Sequence, residues 1–233
     1  MLICYHYCIE RGEGKITKGA IFDMDGTLVD TERLYGIGWL YAAEAVGEIP
    51  HPDFPAAMCS VGGEVADRNV KKFYPNRSFA ELQPLCFKRF LELLQTELEL
   101  MPGVREILTY LKENGYKIGI ATGSGRALIE HNTQKCGIAE FFDASIGGDE
   151  VENGKPFPDI YLLAAEKMNV PIEDCYIFED SDNGVLGAVR SGGKTIMVTS
   201  LGEANDFAKE HCIGIFNDMH EALTAIKNGS LKK

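Results

Sequence analysis

The chain has 233 residues, 45% hydrophobic and 25% charged, and its 35 acidic against 23 basic side chains give a net charge of −12. This composition describes a globular protein with a sizeable core, built as one large domain or as one domain with a smaller companion. The charge argues against nucleic acid as a partner, and seven scattered cysteines argue against a disulfide framework, so a reducing, cytosolic setting and a monomer are expected.

Residues 1–18 read as an extension before the first strand. Cys4, His6 and Cys8 carry metal-binding chemistry, but no second Cys or His pair follows at finger-like spacing, so they read as small apolar residues in a leader. Met1 to Ile9 is too short to cross a bilayer and lacks a basic n-region or an Ala-x-Ala site, so no membrane association is expected.

Gly19–Phe22 is a short apolar strand, stopped by the turn Asp23-Met24-Asp25-Gly26. From Thr31 to about Leu100 the pattern is helical. Leu34, Ile37, Leu40 and Tyr41 fall on one face, and Phe87, Phe90, Leu91 and Leu94 form another stripe. Two Pro-containing stretches, IPHPDFP at 49–55 and YPNRS at 74–78, divide this region. No strand signal occurs there, so residues 31–100 are expected to be an all-helical insert.

After Pro102-Gly103 strands and helices alternate. The strands are expected at 116–122, 144–148, 175–180 and 194–200, with a further apolar run at 213–216. The helices are expected at 104–114, 126–136, 158–168, 184–191, near 204–211, and at 218–227. The fold class is therefore α/β, a Rossmann-like parallel sheet made of residues 19–30 and 101–233. The basic tail NGSLKK is expected to fray.

In such sheets ligands bind beyond the carboxyl ends of the strands, and the polar residues of this chain gather there. Asp23 and Asp25 follow the first strand, Thr122-Gly123-Ser124 the second, Lys155 the third, and Glu179-Asp180-Ser181 the fourth. Four acids on one rim repel one another unless a divalent cation neutralises them, and an all-oxygen cluster suits Mg²⁺. A lysine and a threonine beside that cation suggest a phosphate, hence phosphoryl transfer.

Three decoys fail. EDSDNG is not a calcium loop, because Gly184 is fifth rather than sixth from Asp180 and Ser191 stands where a glutamate is needed. GSGRAL has Leu128 in place of the third glycine of a dinucleotide fingerprint, and GGKT at 192–195 has Ala188 where a phosphate loop needs glycine.

DMDGTLVD, ATGS, GKPFPDIY and FEDSDNGVLGA, in this order over about residues 19–200, resemble the four motifs of the haloacid dehalogenase-like hydrolases. The helical insert after the first motif resembles the small cap of the subgroup that holds β-phosphoglucomutase and phosphatases of small phosphate esters. The resemblance implies an Mg²⁺-dependent phosphatase for a small phosphorylated metabolite, a sugar or polyol phosphate. It makes Asp23 the nucleophile and Asp25 the general acid and base. Asp23, Asp25 through its backbone carbonyl, Asp180 and Glu179 become the metal ligands. Thr122 and Lys155, with backbone N–H groups near Gly26 and Gly123, hold the phosphoryl oxygens.

Asp30 and Ser181 match positions that brace loops. In the mutases of this subgroup a histidine stands four residues after the threonine that corresponds to Thr31; here Tyr35 does. Val65 replaces their cap arginine, which leaves Arg68, Lys71, Lys72, Lys88 and Arg89 as candidate cap contacts. Both departures favour phosphatase over mutase. A dehalogenase needs neither the acid at 25 nor a metal cluster, and a non-catalytic binding protein would not need all four carboxylates.

Overall fold

Six short strands form one sheet: β1 (Gly19–Phe22), β2 (Lys117–Ala121), β3 (Ala144–Ile146), β4 (Cys175–Glu179), β5 (Lys194–Val198) and β6 (Gly214–Phe216). Every pairing is parallel and the order is β3-β2-β1-β4-β5-β6. The computed structural model describes residues 18–59, 61–199 and 204–232, so Cys4, His6 and Cys8 lie outside the described residues.

Alternation along the strands divides the core into two layers. On one face Ala20, Phe22, Ile118, Ile120, Phe178, Ile196 and Val198 pack with α5 (Val104–Glu113), α6 (Arg126–Lys135) and α10 (Met219–Asn228). On the other, Ile21, Ala121, Ile146 and Ile177 pack with α7 (Asp159–Met168) and Ala188 of α8 (Asp182–Ser191). Beyond β5, α9 (Asp206–His211) is capped by the Asn205 side chain, which accepts from Ala208 N–H at 2.8 Å.

Between β1 and α5 stand α1 (Thr31–Ala45), α2 (Phe54–Met58), α3 (Gly63–Phe73) and α4 (Phe79–Glu97). The YPNRS break falls between α3 and α4 as expected, IPHPDFP separates α1 from α2 but gives Phe54 and Pro55 to the first turn of α2, and α4 runs through Pro84. The buried faces differ from the expected stripes. In α1 the buried residues are Thr31, Leu34, Gly38, Trp39, Ala42 and Ala43, and Tyr41 is 40% exposed. In α4 they are Leu82, Cys86, Phe90, Leu93 and Leu94, with Phe87 and Leu91 on the surface. The helices have two burial partners, so one stripe per helix was too simple a reading.

Leu34, Phe90, Leu93, Leu94 and Leu98 join the main core, whereas Trp39, Phe54, Val70, Tyr74 and Leu82 form a second cluster further out. The tail also departs from expectation. Leu231 packs against the main core, and Lys232 N–H donates to the Ile213 carbonyl at 2.9 Å. Among the described residues no helix is long and apolar enough to cross a membrane.

Phe54 is fully buried at the centre of the outer cluster, edge-on to Trp39 at 5.8 Å and to Tyr74 at 4.9 Å. Phe54→Ala should cost about 3–5 kcal/mol by opening a cavity that the aromatic neighbours cannot close. Denaturant unfolding followed through the chain's single tryptophan checks this, and a loss below about 1 kcal/mol would mean that the cluster collapses around the gap.

Candidate active site

β1 and β4 are neighbours at the place where the winding of the sheet reverses direction, the point at which such sheets bind ligands. Their register sets Phe22 beside Phe178, with rings stacked at 4.4 Å. One residue further, Asp23 N–H donates to the Phe178 carbonyl at 2.9 Å. Asp23 and Glu179 therefore stand side by side, on the face opposite the phenylalanines. Lys155 reaches both. Its Nζ donates to Asp23 Oδ1 at 2.5 Å and to Glu179 Oε1 at 2.6 Å.

Asp180 follows directly, and Asp23, Glu179 and Asp180 each offer an oxygen within 4.8 Å of the others. Two glycines permit this crowding. Gly26 has φ +76°, and a Cβ there would lie 2.2 Å from Asp180 Oδ2. At Gly184 a Cβ would lie 1.9 Å from Glu179 Oε2.

Burial is the largest influence on Asp23 and lifts its carboxyl to about 8; Lys155 opposes the rise, while Glu179 and Asp25 add to it. Burial also lifts Asp180 well above the carboxylate range, with help from Asp23, Glu179 and Glu32. At Lys155 burial disfavours the charge, but the Asp23 and Glu179 carboxylates outweigh it and hold the pKa above the ordinary value. Glu179 Oε2 is buried and receives no hydrogen bond. Three converging carboxylates, two of them lifted by burial, with an uncommitted buried oxygen among them, fit a hard divalent cation.

The Asp25 side chain turns to hydroxyls instead. Thr31 Oγ1 donates to its Oδ1 at 2.8 Å, and Ser124 Oγ and Thr122 Oγ1 donate to its Oδ2 at 2.7 and 3.2 Å. Of the expected site residues, Asp23, Lys155, Glu179 and Asp180 thus share one cluster, Gly26 packs against Asp180, and Thr122 adjoins Asp25. The Asp25 side chain is not one of the three converging carboxylates. Gly123 lies between Thr122 and Ser124, where a Cβ would meet nothing within 4 Å.

Asp30 and Ser181 are N-caps, accepting from Arg33 N–H at 3.3 Å and Gly184 N–H at 3.1 Å, as the loop-bracing expectation requires. Sequence reasoning missed Thr31 and Ser124 as partners of Asp25, and Tyr161, whose hydroxyl donates to Glu179 Oε1 at 2.6 Å. Each lies inside or beside a motif, which was the available signal. Among the candidate cap contacts, Lys71 pairs with Asp67 at 2.6 Å and Arg89 with Glu92 at 3.0 Å, while Arg68, Lys72 and Lys88 lie on the surface.

Residues 17–192 match the family model described as haloacid dehalogenase-like hydrolase. The chain is 31% identical over 225 residues to a phosphorylated carbohydrates phosphatase of Thermotoga maritima, covering 90% of this chain and 98% of that one. It is 34% identical over 184 residues, 76% of this chain and 80% of the other, to a Drosophila melanogaster protein named probable pseudouridine-5′-phosphatase. The crystal structure of CbbY from Rhodobacter sphaeroides with phosphate superposes with a TM-score of 0.69 at 25% identity, covering 88% of this chain and 96% of that one. The chain belongs to the haloacid dehalogenase-like hydrolases.

Without a cation, the folded protein keeps a proton on Asp23 that the unfolded chain releases between roughly pH 4 and 8, and Asp180 is shifted in the same direction, so stability falls as pH rises through that window. A divalent cation displaces bound protons. In chelator the melting temperature should fall from about pH 5 to about pH 8, and an added divalent cation should raise it more at the higher pH. Scanning calorimetry checks this, and an equal cation effect at both pH values would remove these carboxylates from the metal site.

Proposed function

We propose that this haloacid dehalogenase-like hydrolase is an Mg²⁺-dependent phosphatase that cleaves a small sugar or polyol phosphate through an aspartyl-phosphate on Asp23. The observation that carries this reading is the position of Asp23: its Oδ1 accepts from Lys155, and its carboxylate offers an oxygen to the group shared with Glu179 and Asp180. Residues 31–100 are read as the cap over that site. We also read the protein as a cytosolic monomer that works on metabolites rather than nucleic acid, in keeping with its charge of −12.

Asp23, Asp180 and the Asp25 backbone carbonyl would hold Mg²⁺, with Glu179 contributing. The ion would supply charge neutralisation for the nucleophile and the phosphoryl group. In the first half-reaction a carboxylate oxygen of Asp23 attacks phosphorus, and the ester P–O bond breaks. Asp25 gives its proton to the leaving alkoxide. In the second, water attacks the same phosphorus, its proton passes to Asp25, and the bond to Asp23 breaks to restore the carboxylate. Lys155 and Thr122 bind the equatorial oxygens throughout, with N–H groups near Gly26 and Gly123.

Tyr35 bears on the fate of the intermediate. Its ring stacks on Phe90 at 3.8 Å, and burial, with the Asp25 charge, holds its phenol far above neutrality. It is a neutral group beside the acid and base, unlike a histidine that titrates near pH 7.

Asp23→Asn should abolish turnover, with a loss on the order of 10³-fold or more and the fold intact. Phosphate release across a panel of phosphorylated sugars and polyols, in Mg²⁺ and in excess chelator, tests the class. Full activity in chelator would refute it. Incubation with β-glucose 1-phosphate and a trace of the 1,6-bisphosphate should yield inorganic phosphate. Rapid glucose 6-phosphate formation with little free phosphate would instead make the protein a mutase.

A further inference from the structure

Glu179 is the one carboxylate of the cluster that is wholly excluded from solvent, and its two oxygens are treated unequally. Oε1 receives both Lys155 Nζ and the Tyr161 hydroxyl, each at 2.6 Å. Oε2 is buried and receives nothing. A carboxylate anchored through a single oxygen can still rotate about its Cγ–Cδ bond, so a second donor at that oxygen is what fixes the direction of the other.

Tyr161 lies in the first turn of α7 and is itself fully buried. Its ring enters the α7–α8 contact because α8 presents glycine there: a Cβ on Gly187 would sit 3.0 Å from Tyr161 Cε2. Gly184, one turn earlier, gives the Glu179 carboxylate its seat. The hydroxyl has two acceptors within reach, Glu179 Oε1 and the Gly184 carbonyl at 3.0 Å, and only one proton to give. A charged acceptor makes the stronger bond, so the proton goes to Glu179. The Lys155 ammonium lies 5.4 Å from the centre of the Tyr161 ring, so one side chain adjoins both partners of Asp23's neighbourhood. A phenylalanine would fill the same space with no buried hydroxyl to satisfy, and packing alone therefore does not account for the tyrosine.

We propose that Tyr161 is a positioning residue that orients Glu179 through Oε1, so that Oε2 is presented to the cation and Lys155 is kept on Asp23. The inference rests on the functional reading above, because it needs Glu179 to serve a divalent cation. Residues that hold a metal ligand in place typically govern metal affinity by 10–100-fold.

The test measures Mg²⁺ binding directly by calorimetry on the full-length protein, as wild type, Tyr161→Phe, Glu179→Gln and the double variant. Thermal unfolding is followed in parallel, with kcat and KM on p-nitrophenyl phosphate. Tyr161→Phe should weaken Mg²⁺ binding by about tenfold and lower kcat more than it raises KM, with little change in melting temperature. In the Glu179→Gln background the same substitution should have no further effect on Mg²⁺ binding, because residues that act through one another are not additive.

Unchanged Mg²⁺ affinity in Tyr161→Phe would overturn the proposal. So would a tenfold loss that persists in the Glu179→Gln background, which would place the effect elsewhere. If the phenylalanine variant does not fold, 4-fluorophenylalanine at position 161 fills the space of the hydroxyl without donating and is held to the same two criteria. A wild-type protein that binds no Mg²⁺ would overturn this inference together with the functional reading. A wild type that binds Mg²⁺ alongside an indifferent Tyr161→Phe would overturn the inference alone.

Discussion

The Lys155 ammonium is the charge on which the rest of the site depends. Asp23 and Glu179 end adjacent parallel strands in register, so the sheet itself forces two carboxylates together in a place almost without solvent. Two such charges are tolerable only if a cation is inserted between them, and Lys155 donates to both. Removing one member of a buried ionic group typically costs about 3–5 kcal/mol, because the others are left uncompensated. Even so, the lysine does not balance the cluster: Asp23, Glu179 and Asp180 bring three acids to one ammonium. Burial first, and the neighbouring carboxylates second, raise Asp23 and Asp180, and a second cation would offset both effects.

The crowded carboxylates shape the surrounding backbone. At Gly26 and Gly184 any side chain would occupy the volume of a carboxylate oxygen of the cluster. Gly187 repeats the requirement one turn further along α8, where the Tyr161 ring takes the space. The glycines of DMDGT and of DNGVLGA thus have one explanation. They are absences of side chain that let the Asp180 and Glu179 carboxylates at the end of β4, and the Tyr161 ring from α7, come close.

The sheet and the rim residues were legible in the sequence because both are local. Apolar runs of three to five residues bounded by turns define the strands. Polar residues at their carboxyl ends need only the parallel-sheet rule to be brought together. Asp23, Lys155, Glu179 and Asp180 meet for that reason. What the pattern could not show was the division of labour among neighbours. Asp23 and Asp25, two residues apart, go to different partners, and nothing in the spacing says that Thr31 and Ser124 will claim Asp25. The faces of α1 and α4 were misjudged for a related reason. Both helices bury residues against the sheet layer at one end and against the Trp39 cluster at the other, so no single stripe describes them. The tail looked expendable by composition, but Leu231 packs against the core and the adjoining backbone bonds to Ile213, a tertiary contact without a local signature.

Thr31 shows how closely the insert and the chemistry are joined. It is the first residue of α1, fully buried, and its hydroxyl holds one oxygen of Asp25. The preceding residue, Asp30, caps the same helix, and Leu34, one turn on, packs in the main core. Five residues further, Trp39 belongs to the outer cluster. A single helix and its cap therefore carry, in order, the cap of the N-terminus, a donor to Asp25, an anchor in the sheet layer, and an aromatic residue of the outer cluster. The Thr31–Asp25 hydrogen bond ties the start of α1 to the turn after β1. Tyr35 on the same helix stacks against Phe90 of α4. Asp25 is held by Thr31 of α1 together with Thr122 and Ser124 after β2, while Lys155 holds Asp23. Asp23 and Asp25, two positions apart in sequence, are thus held by different sets of side chains.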